Sequence, residues 1–317
     1  MVDENKRALA IGGSEIAAIF GVHDYLDEFS LWARKKGELP PQEENPRIRL
    51  GTFLQQGIAA YYSHLTGNQT EWRDKTERHP EYKFMAYSPD AVVVGQRRGV
   101  DVKYVSFDQS PYWGKTIEDI PPRAVMQAWW YMAALDYLFW DIAALVIGAD
   151  DLRIYTVERD LDVERVMLRK AQEWWQRYLV GDERPPISGG DLAHQWLQKK
   201  HPRHNRNDIR TANFEQAAML DDYAGVRDEQ DCINERRQLL EAQIKEQIGD
   251  HEGLKWPGGR FTWKRTKDSE FTDWEGLAKL LLASAEEQEK LVNEFTFTKP
   301  GTRRIRFTDR RGRDRES

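Results

Sequence analysis

The chain of 317 residues holds one cysteine, Cys232. A single thiol excludes an intramolecular disulfide framework, a zinc site built on paired cysteines and a cysteine-ligated iron–sulfur cluster. It suits a reducing compartment, so a cytoplasmic location is expected. A long apolar run is also missing. The greasiest stretch, residues 125–149, is interrupted by Gln127, Asp136 and Asp141. A bilayer would bear those charges only at a cost of several kcal/mol, so the stretch reads as a buried helix followed by a buried strand, with no membrane partner. The opening residues, MVDENKRALAIGG, carry no apolar signal core. Positive charge is not in excess either: 47 Lys and Arg stand against 53 Asp and Glu, a net charge of −6. This argues against a generic electrostatic coat for nucleic acid, although basic side chains gathered on one face would still bind it.

What is present is enough for a sizeable core. Apolar residues make up 40% of the chain and 12 are Trp, which excludes global disorder. The length suits roughly two domains. Charge divides unevenly: residues 1–190 carry 23 basic and 29 acidic side chains, and residues 191–317 carry 24 of each. Between them lies the Pro- and Gly-rich stretch Glu183-Arg-Pro-Pro-Ile-Ser-Gly-Gly190, which should end a helix. The expected division is a domain over 1–188 and an accessory domain over 189–317.

The first part reads as mixed α and β. Helices are expected at 14–20, 51–65, 122–135 and 163–179, the third opened by Pro121-Pro122. Strands are expected at 84–94, 100–105, 139–148 and 152–158, with a turn over Gln96-Arg-Arg-Gly99. The second part opens on a basic loop, 199–210, followed by a long polar helix over 213–248. Along that helix Met219, Val226, Ile233 and Leu240 recur every seven residues. The complementary positions Tyr223, Gln230, Arg237 and Ile244 are only half apolar, so either a coiled coil or a helix packed on its own domain fits. Residues 255–264 read as a β-hairpin around Pro257-Gly258-Gly259. The tail from Thr302 holds seven Arg in sixteen residues; it reads as a mobile segment that either contacts phosphates or solubilises the chain.

The chemistry concentrates at Ser88-Pro89-Asp90 and, ten residues on, Asp101-Val102-Lys103. Side chains alternate faces along a strand, so Asp101 and Lys103 point one way and Val102 the other. A hairpin turn can bring Asp90 beside Asp101. Two carboxylates and an ammonium at one end of a sheet suit metal-dependent phosphodiester hydrolysis. Hard divalent cations take oxygen ligands, a bound metal lowers the pKa of its water, and Lys103 would stabilise developing negative charge. The Val102 backbone carbonyl is a further candidate ligand. Taken alone, Asp-x-Lys on a strand is common and usually marks a solvated face.

The flanking pattern resembles the PD-(D/E)xK nuclease motif, and the order of the whole first part is similar to the YqaJ-type phage recombinases, the branch that holds the lambda-exonuclease-like enzymes. Four pieces carry the resemblance: Ile11-Gly-Gly-Ser-Glu-Ile-Ala-Ala-Ile-Phe-Gly21, Gly51-Thr-Phe-Leu-Gln55, the Asp90 and Asp101-Val-Lys103 core, and Gln127-Ala-Trp-Trp-Tyr131. It implies a restriction-endonuclease-like α/β core with a central mixed sheet flanked by helices, plus a C-terminal helical and hairpin domain. It implies Asp90 and Asp101 as metal ligands, Lys103 as the catalytic lysine, and Gln127 and Tyr131 as helical members of the site. One or two Mg²⁺, or Mn²⁺, would be bound. Arg7 and Ser14 match the positions that hold a 5′-phosphate, where a guanidinium fork and amides at a helix start favour an anion.

The implied activity is a 5′→3′ exonuclease on double-stranded DNA ends, encoded by a phage or prophage and acting in the bacterial cytoplasm. It would leave 3′ single strands for a single-strand annealing protein. A ring-shaped homo-oligomer is implied as well. One departure stands out: Gln55 replaces the branch's helical Glu, and a neutral amide should weaken a second metal site. Two alternatives stay open, an endonuclease or single-strand nuclease on the same core, and a non-catalytic DNA-binding recombination scaffold. His194, His201 and His204 read as solvated loop histidines rather than zinc ligands. The pairs Trp129-Trp130 and Trp174-Trp175 read as core aromatics.

Overall fold

The computed structural model describes residues 10–41, 44–73, 75–149, 152–205, 208–265, 306–308 and 314–316. Two units divide between His201 and Pro202. The first carries, in chain order, α1 (Ile16–Ile19), α2 (Glu28–Lys35), α3 (Pro46–Thr66), β1 (Thr70–Trp72), β2 (Glu77–Arg78), β3 (Ala86–Tyr87), β4 (Ala91–Val93), β5 (Arg98–Val105), α4 (Pro122–Leu135), β6 (Phe139–Val146), β7 (Arg153–Glu158), α5 (Leu161–Trp174) and α6 (Asp191–Lys200). Five strands form one sheet in the order β1-β4-β5-β6-β7. Its pairs are antiparallel except β5 with β6, which run parallel. The parallel step needs a crossover, and α4 supplies it. This is the mixed, helix-flanked sheet of the restriction-endonuclease-like architecture.

Each face of the sheet has its own core. Helix α3 starts where the Asn45 side chain accepts from the Ile48 N–H at 3.0 Å and Pro46 takes the first helical turn. It ends at Gly67, whose φ of 72° closes a left-handed cap. Its stripe of Ile58, Ala59 and Tyr62 packs on Ala91, Val93, Val100, Val102 and Ala143. The larger core lies on the other face, where Trp130, Tyr131 and Met132 of α4 meet Trp140, Ile142, Ala144 and Tyr155 of the sheet. Trp130 and Trp174 are buried, as expected of core aromatics. One polar group is embedded beneath α3: Asp141, 3% exposed, accepts from Tyr62 Oη at 2.5 Å, Arg98 at 2.6 Å and Thr156 at 2.7 Å.

The structure revises three local expectations. The strand expected over 84–94 is two strands, β3 and β4, parted at Ser88-Pro89-Asp90, because proline has no N–H to give a ladder. The turn expected over Gln96–Gly99 comes earlier, around Gly95 at φ 73°. Gly99 is instead inside β5, where a Cβ would lie 2.1 Å from the Trp140 ring. Finally, the Pro- and Gly-rich stretch leads into α6, whose Trp196 ring sits 5.1 Å from Phe29 and 6.5 Å from Trp32 of α2. That aromatic cluster ties α6 to the first unit and carries the unit to His201, past the boundary expected at 188.

The second unit contains α7 (Phe214–Ile248), opened by an Asn213–Gln216 capping box. The hairpin of β8 (Gly253–Trp256) and β9 (Gly259–Thr262) follows. Lys245 of α7 lies over the Trp263 ring, and Ile248 is fully buried. In the tail, β10 (Arg306–Thr308) pairs antiparallel with β11 (Asp314–Glu316). Among the described residues no helix is long and apolar enough to cross a membrane.

Candidate active site

The β4–β5 register pairs Ala91 with Val100 and Val92 with Gly99. One step further, Asp90 comes level with Asp101 just where the ladder stops. The Pro89 kink turns Asp90 so that its Oδ2 accepts from the Val102 backbone N–H at 2.8 Å. A side chain thus replaces the missing strand partner. The N–H and C=O of one strand residue leave on the same edge, so the Val102 carbonyl opens toward Asp90 as well.

Strand alternation sends Asp101 and Lys103 to the α4 face, away from Val100 and Val102, which face α3. Asp101 is 1% exposed. Its Oδ2 pairs with the Lys103 ammonium, and its Oδ1 is buried without a hydrogen-bond donor. Lys103 Nζ also donates to Gln127 Oε1 of α4 at 3.0 Å. Gln127 Nε2 lies 3.1 Å from Tyr131 Oη, which donates to the Ser88 carbonyl at 3.1 Å. Residues i and i+4 share a helix face, and here that face closes a circuit from Asp101 through Lys103, Gln127 and Tyr131 back to the residue that opens the Ser-Pro-Asp segment.

The electrostatics are those of crowded carboxylates. Burial, and then the charge of Asp101, raises the Asp90 pKa well above the ordinary carboxylate range. Burial disfavours the Lys103 ammonium, but the attraction of Asp101 and Asp90 outweighs it and raises the Lys103 pKa. A buried carboxylate with an undonated oxygen, a half-buried carboxylate beside it and one ammonium fit a cation. Among the described residues no three His, Cys, Asp or Glu side chains converge. A cation between Asp90 and Asp101 would therefore draw its other oxygens from the Val102 carbonyl, water or phosphate.

The opening motif reaches this site through the backbone. Ile11 bridges Met85, and the Ala86 N–H donates to the Ile11 carbonyl at 2.9 Å. This lays residues 11–13 beside β3. A Cβ on Gly13 would lie 2.5 Å from the Tyr131 ring, inside any real contact. Gly13→Ala should therefore push Tyr131 off Gln127. The expected cost is about 1–3 kcal/mol of stability together with a loss of nuclease activity, and urea unfolding alongside a cleavage assay would check both.

Ser14, next in sequence, is exposed. The expected open helix start is not there. Helix α1 has only four residues, and the Glu15 carboxylate already accepts from the Gly12 N–H at 2.7 Å while pairing with Lys35 at 2.7 Å. Positive charge near Ser14 comes from side chains that sequence reasoning missed. His23 hydrogen-bonds the Ser14 backbone, and burial together with Arg123 and Arg34 lowers its pKa to about 4. The signal for these residues was absent because α2 and α4 bring the two arginines together only in the fold. Arg7 lies outside the described residues.

Gln55 sits half-buried on α3. Among the described residues no hydrogen bond joins it to Asp90, Asp101 or Lys103. His194, His201 and His204 are exposed.

The chain is 25% identical over 252 residues to the protein YqaJ of Bacillus subtilis (strain 168), across 78% of this chain and 77% of that one. The alkaline exonuclease LHK-Exo from Laribacter hongkongensis overlaps with a TM-score of 0.47 at 18% identity, over 56% of this chain and 91% of its own. A phage-related exonuclease from Haemophilus somnus 129PT overlaps with a TM-score of 0.42 at 16% identity, over 56% and 97%. Residues 4–137 match the YqaJ-like viral recombinase domain family. That segment, which spans the glycine turn at 12–13, both aspartates, Lys103, Gln127 and Tyr131, is similar to the YqaJ-like viral recombinase domain.

Proposed function

We propose that this protein is a divalent-metal-dependent exonuclease acting 5′→3′ on double-stranded DNA ends, leaving 3′ single strands for an annealing protein. The observation that carries the reading is the buried Asp101 carboxylate beside Asp90, with Lys103 held between Asp101 and Gln127. Asp90, Asp101 and the Val102 carbonyl would hold Mg²⁺ or Mn²⁺, which supplies Lewis acidity and a water of lowered pKa. Lys103, kept charged by its two carboxylate neighbours, offers a donor to negative charge developing on the scissile phosphate. Gln127 fixes the ammonium, Tyr131 fixes Gln127, and the Ser88 carbonyl with Gly13 fixes Tyr131.

Action at an end is supported by Ser14, one residue from the Tyr131 contact and hydrogen-bonded through its backbone to His23, which Arg123 and Arg34 face. The relatives' printed descriptions, an alkaline exonuclease and a phage-related exonuclease, agree with it. A ring-type oligomer and an annealing partner remain part of the proposal through the family resemblance. Duplexes labelled at opposite termini, with covalently closed circles in parallel, test the reading. Release from 5′ termini with circles spared is expected, and removal of the 5′-phosphate should slow it. Cutting of circles would replace it with an endonuclease, and release from 3′ termini would reverse the polarity.

A further inference from the structure

The face of α4 that carries Tyr131 and Gln127 reaches Arg123 one turn earlier, since residues four apart share a helix face. Arg123 thus stands about 6 Å along the axis from Gln127, whose Oε1 accepts from Lys103. The Arg123 guanidinium lies over the Tyr25 ring, 5.4 Å from its centroid, and pairs with Asp24. The Tyr25 hydroxyl donates at 3.1 Å to Gln109 Oε1, in the loop that leaves β5. That loop is fixed in turn: the Gln109 N–H donates to the Ser106 carbonyl at 3.0 Å, and Asp108 pairs with Arg47 of α3 at 3.1 Å. His23 Nδ1 accepts from the Tyr25 and Leu26 N–H groups, each at 3.1 Å. Tyr25 therefore spans from the start of α4 to the exit of β5, the two elements that carry Gln127 and Lys103. Its backbone, its hydroxyl and one ring face are all held, yet the residue is 64% exposed.

We infer that Tyr25 is a nucleobase-stacking residue: the other face of its ring takes a base of the bound DNA end, beside the phosphate at Lys103. The inference rests on the reading of the Asp90, Asp101 and Lys103 site as a nuclease and adds a substrate contact to it. A lone exposed aromatic is ordinary on a protein surface. Tyr25 differs in that its ring is already fixed, so a base that lands on it has little side-chain entropy to offset. The ring also stands next to the circuit that runs through Lys103 and Gln127. Arg123 covers one face, which leaves room for a single base on the other. Asp24 offsets the Arg123 charge, so the ring is offered to a flat neutral base rather than to a phosphate. Every base has a π-face, and such a platform holds DNA with little regard to sequence.

The test measures binding of duplex ends by the full chain carrying Lys103→Ala, in EDTA, by competition anisotropy, so that nothing is cut. Far-UV circular dichroism shows that the variants fold. The duplexes carry one abasic residue in turn at each of the first four nucleotides of either strand. With Tyr25 present, loss of the base at one position should weaken binding about 5- to 100-fold. Tyr25→Leu should bind intact DNA more weakly by a similar factor and be indifferent to that abasic residue. Tyr25→Phe keeps the ring and loses only the bond to Gln109, so it should bind within about twofold of its parent. Three results would each overturn the inference. They are binding of intact DNA by Tyr25→Leu as tight as that of its parent, an abasic penalty that Tyr25→Leu leaves unchanged at every position, and Tyr25→Phe as weak as Tyr25→Leu, which would make Tyr25 a tether of the Gln109 loop. Cutting of closed circles by wild type would overturn the exonuclease reading and leave the stacking standing, because binding is scored without cleavage.

Discussion

Asp90→Asn is expected to abolish DNA cleavage while making the metal-free fold more stable. The Asn side chain keeps an oxygen for the Val102 N–H, 2.8 Å away in the native site, and Lys103 keeps its ion pair with Asp101. What disappears is one of two crowded carboxylates that repel each other. A gain of about 1 kcal/mol would raise the melting temperature by about 2–4 °C for a unit of this size. The sign follows from linkage. A folded-state pKa raised above the unfolded one means that the native protein binds more protons between the two values. Wild type therefore gains stability as pH falls from the raised Asp90 range toward the ordinary carboxylate range, and the variant lacks that gain. Mg²⁺ should stabilise wild type by binding the native state and leave the variant unmoved. Cleavage should fall by at least about 100-fold, the scale of losing one preorganised electrostatic group. A variant that melts lower than wild type in EDTA, or that cuts DNA at the wild-type rate, would count against the crowded-carboxylate site.

The second large effect concerns stability alone. Asp141 joins α3, β5, β6 and β7 through Tyr62, Arg98 and Thr156. Asp141→Ala leaves the half-buried Arg98 guanidinium and the buried Tyr62 hydroxyl without their acceptor. An orphaned buried hydrogen-bonding group typically costs about 1–3 kcal/mol. Burial and the Asp141 hydrogen bond raise the Tyr62 pKa to about 12, so the phenol stays protonated and donates throughout the usual pH range. Urea unfolding followed by tryptophan fluorescence should show the full loss for Asp141→Ala and a smaller one for Asp141→Asn, which preserves an acceptor. A cost under about 1 kcal/mol for the Ala variant would mean that the four elements are held by their apolar contacts instead.

The contrast between these residues shows what was legible in the sequence. Asp101 and Lys103 could be read because strand alternation is local, and Asp90 because a short hairpin has few ways to pair. Gln127 and Tyr131 were legible through the family resemblance, with their i, i+4 spacing putting them on one helix face. Gly99 was misread as a turn residue, since the reason for that glycine is the Trp140 ring, 41 positions away in sequence. Gly13 was visible only as part of a motif; its purpose is the Tyr131 ring from a distant helix. Helix α6 was missed because its amphipathic face pairs with α2, an element also unread. In each case the legible features rest on contacts within about ten residues, and the missed ones on contacts between elements.

Cleavage of linear duplex DNA by wild type and by Lys103→Ala, each with Mg²⁺ and with EDTA, tests the central claim most directly. Lys103 lies partly exposed toward the C-terminal end of β5, and its removal leaves Asp90 and Asp101 in place. The expected result is cutting by wild type with Mg²⁺ alone, and none by Lys103→Ala, which still binds duplex ends. Equal cutting by the two proteins would contradict the assignment of catalysis to this site.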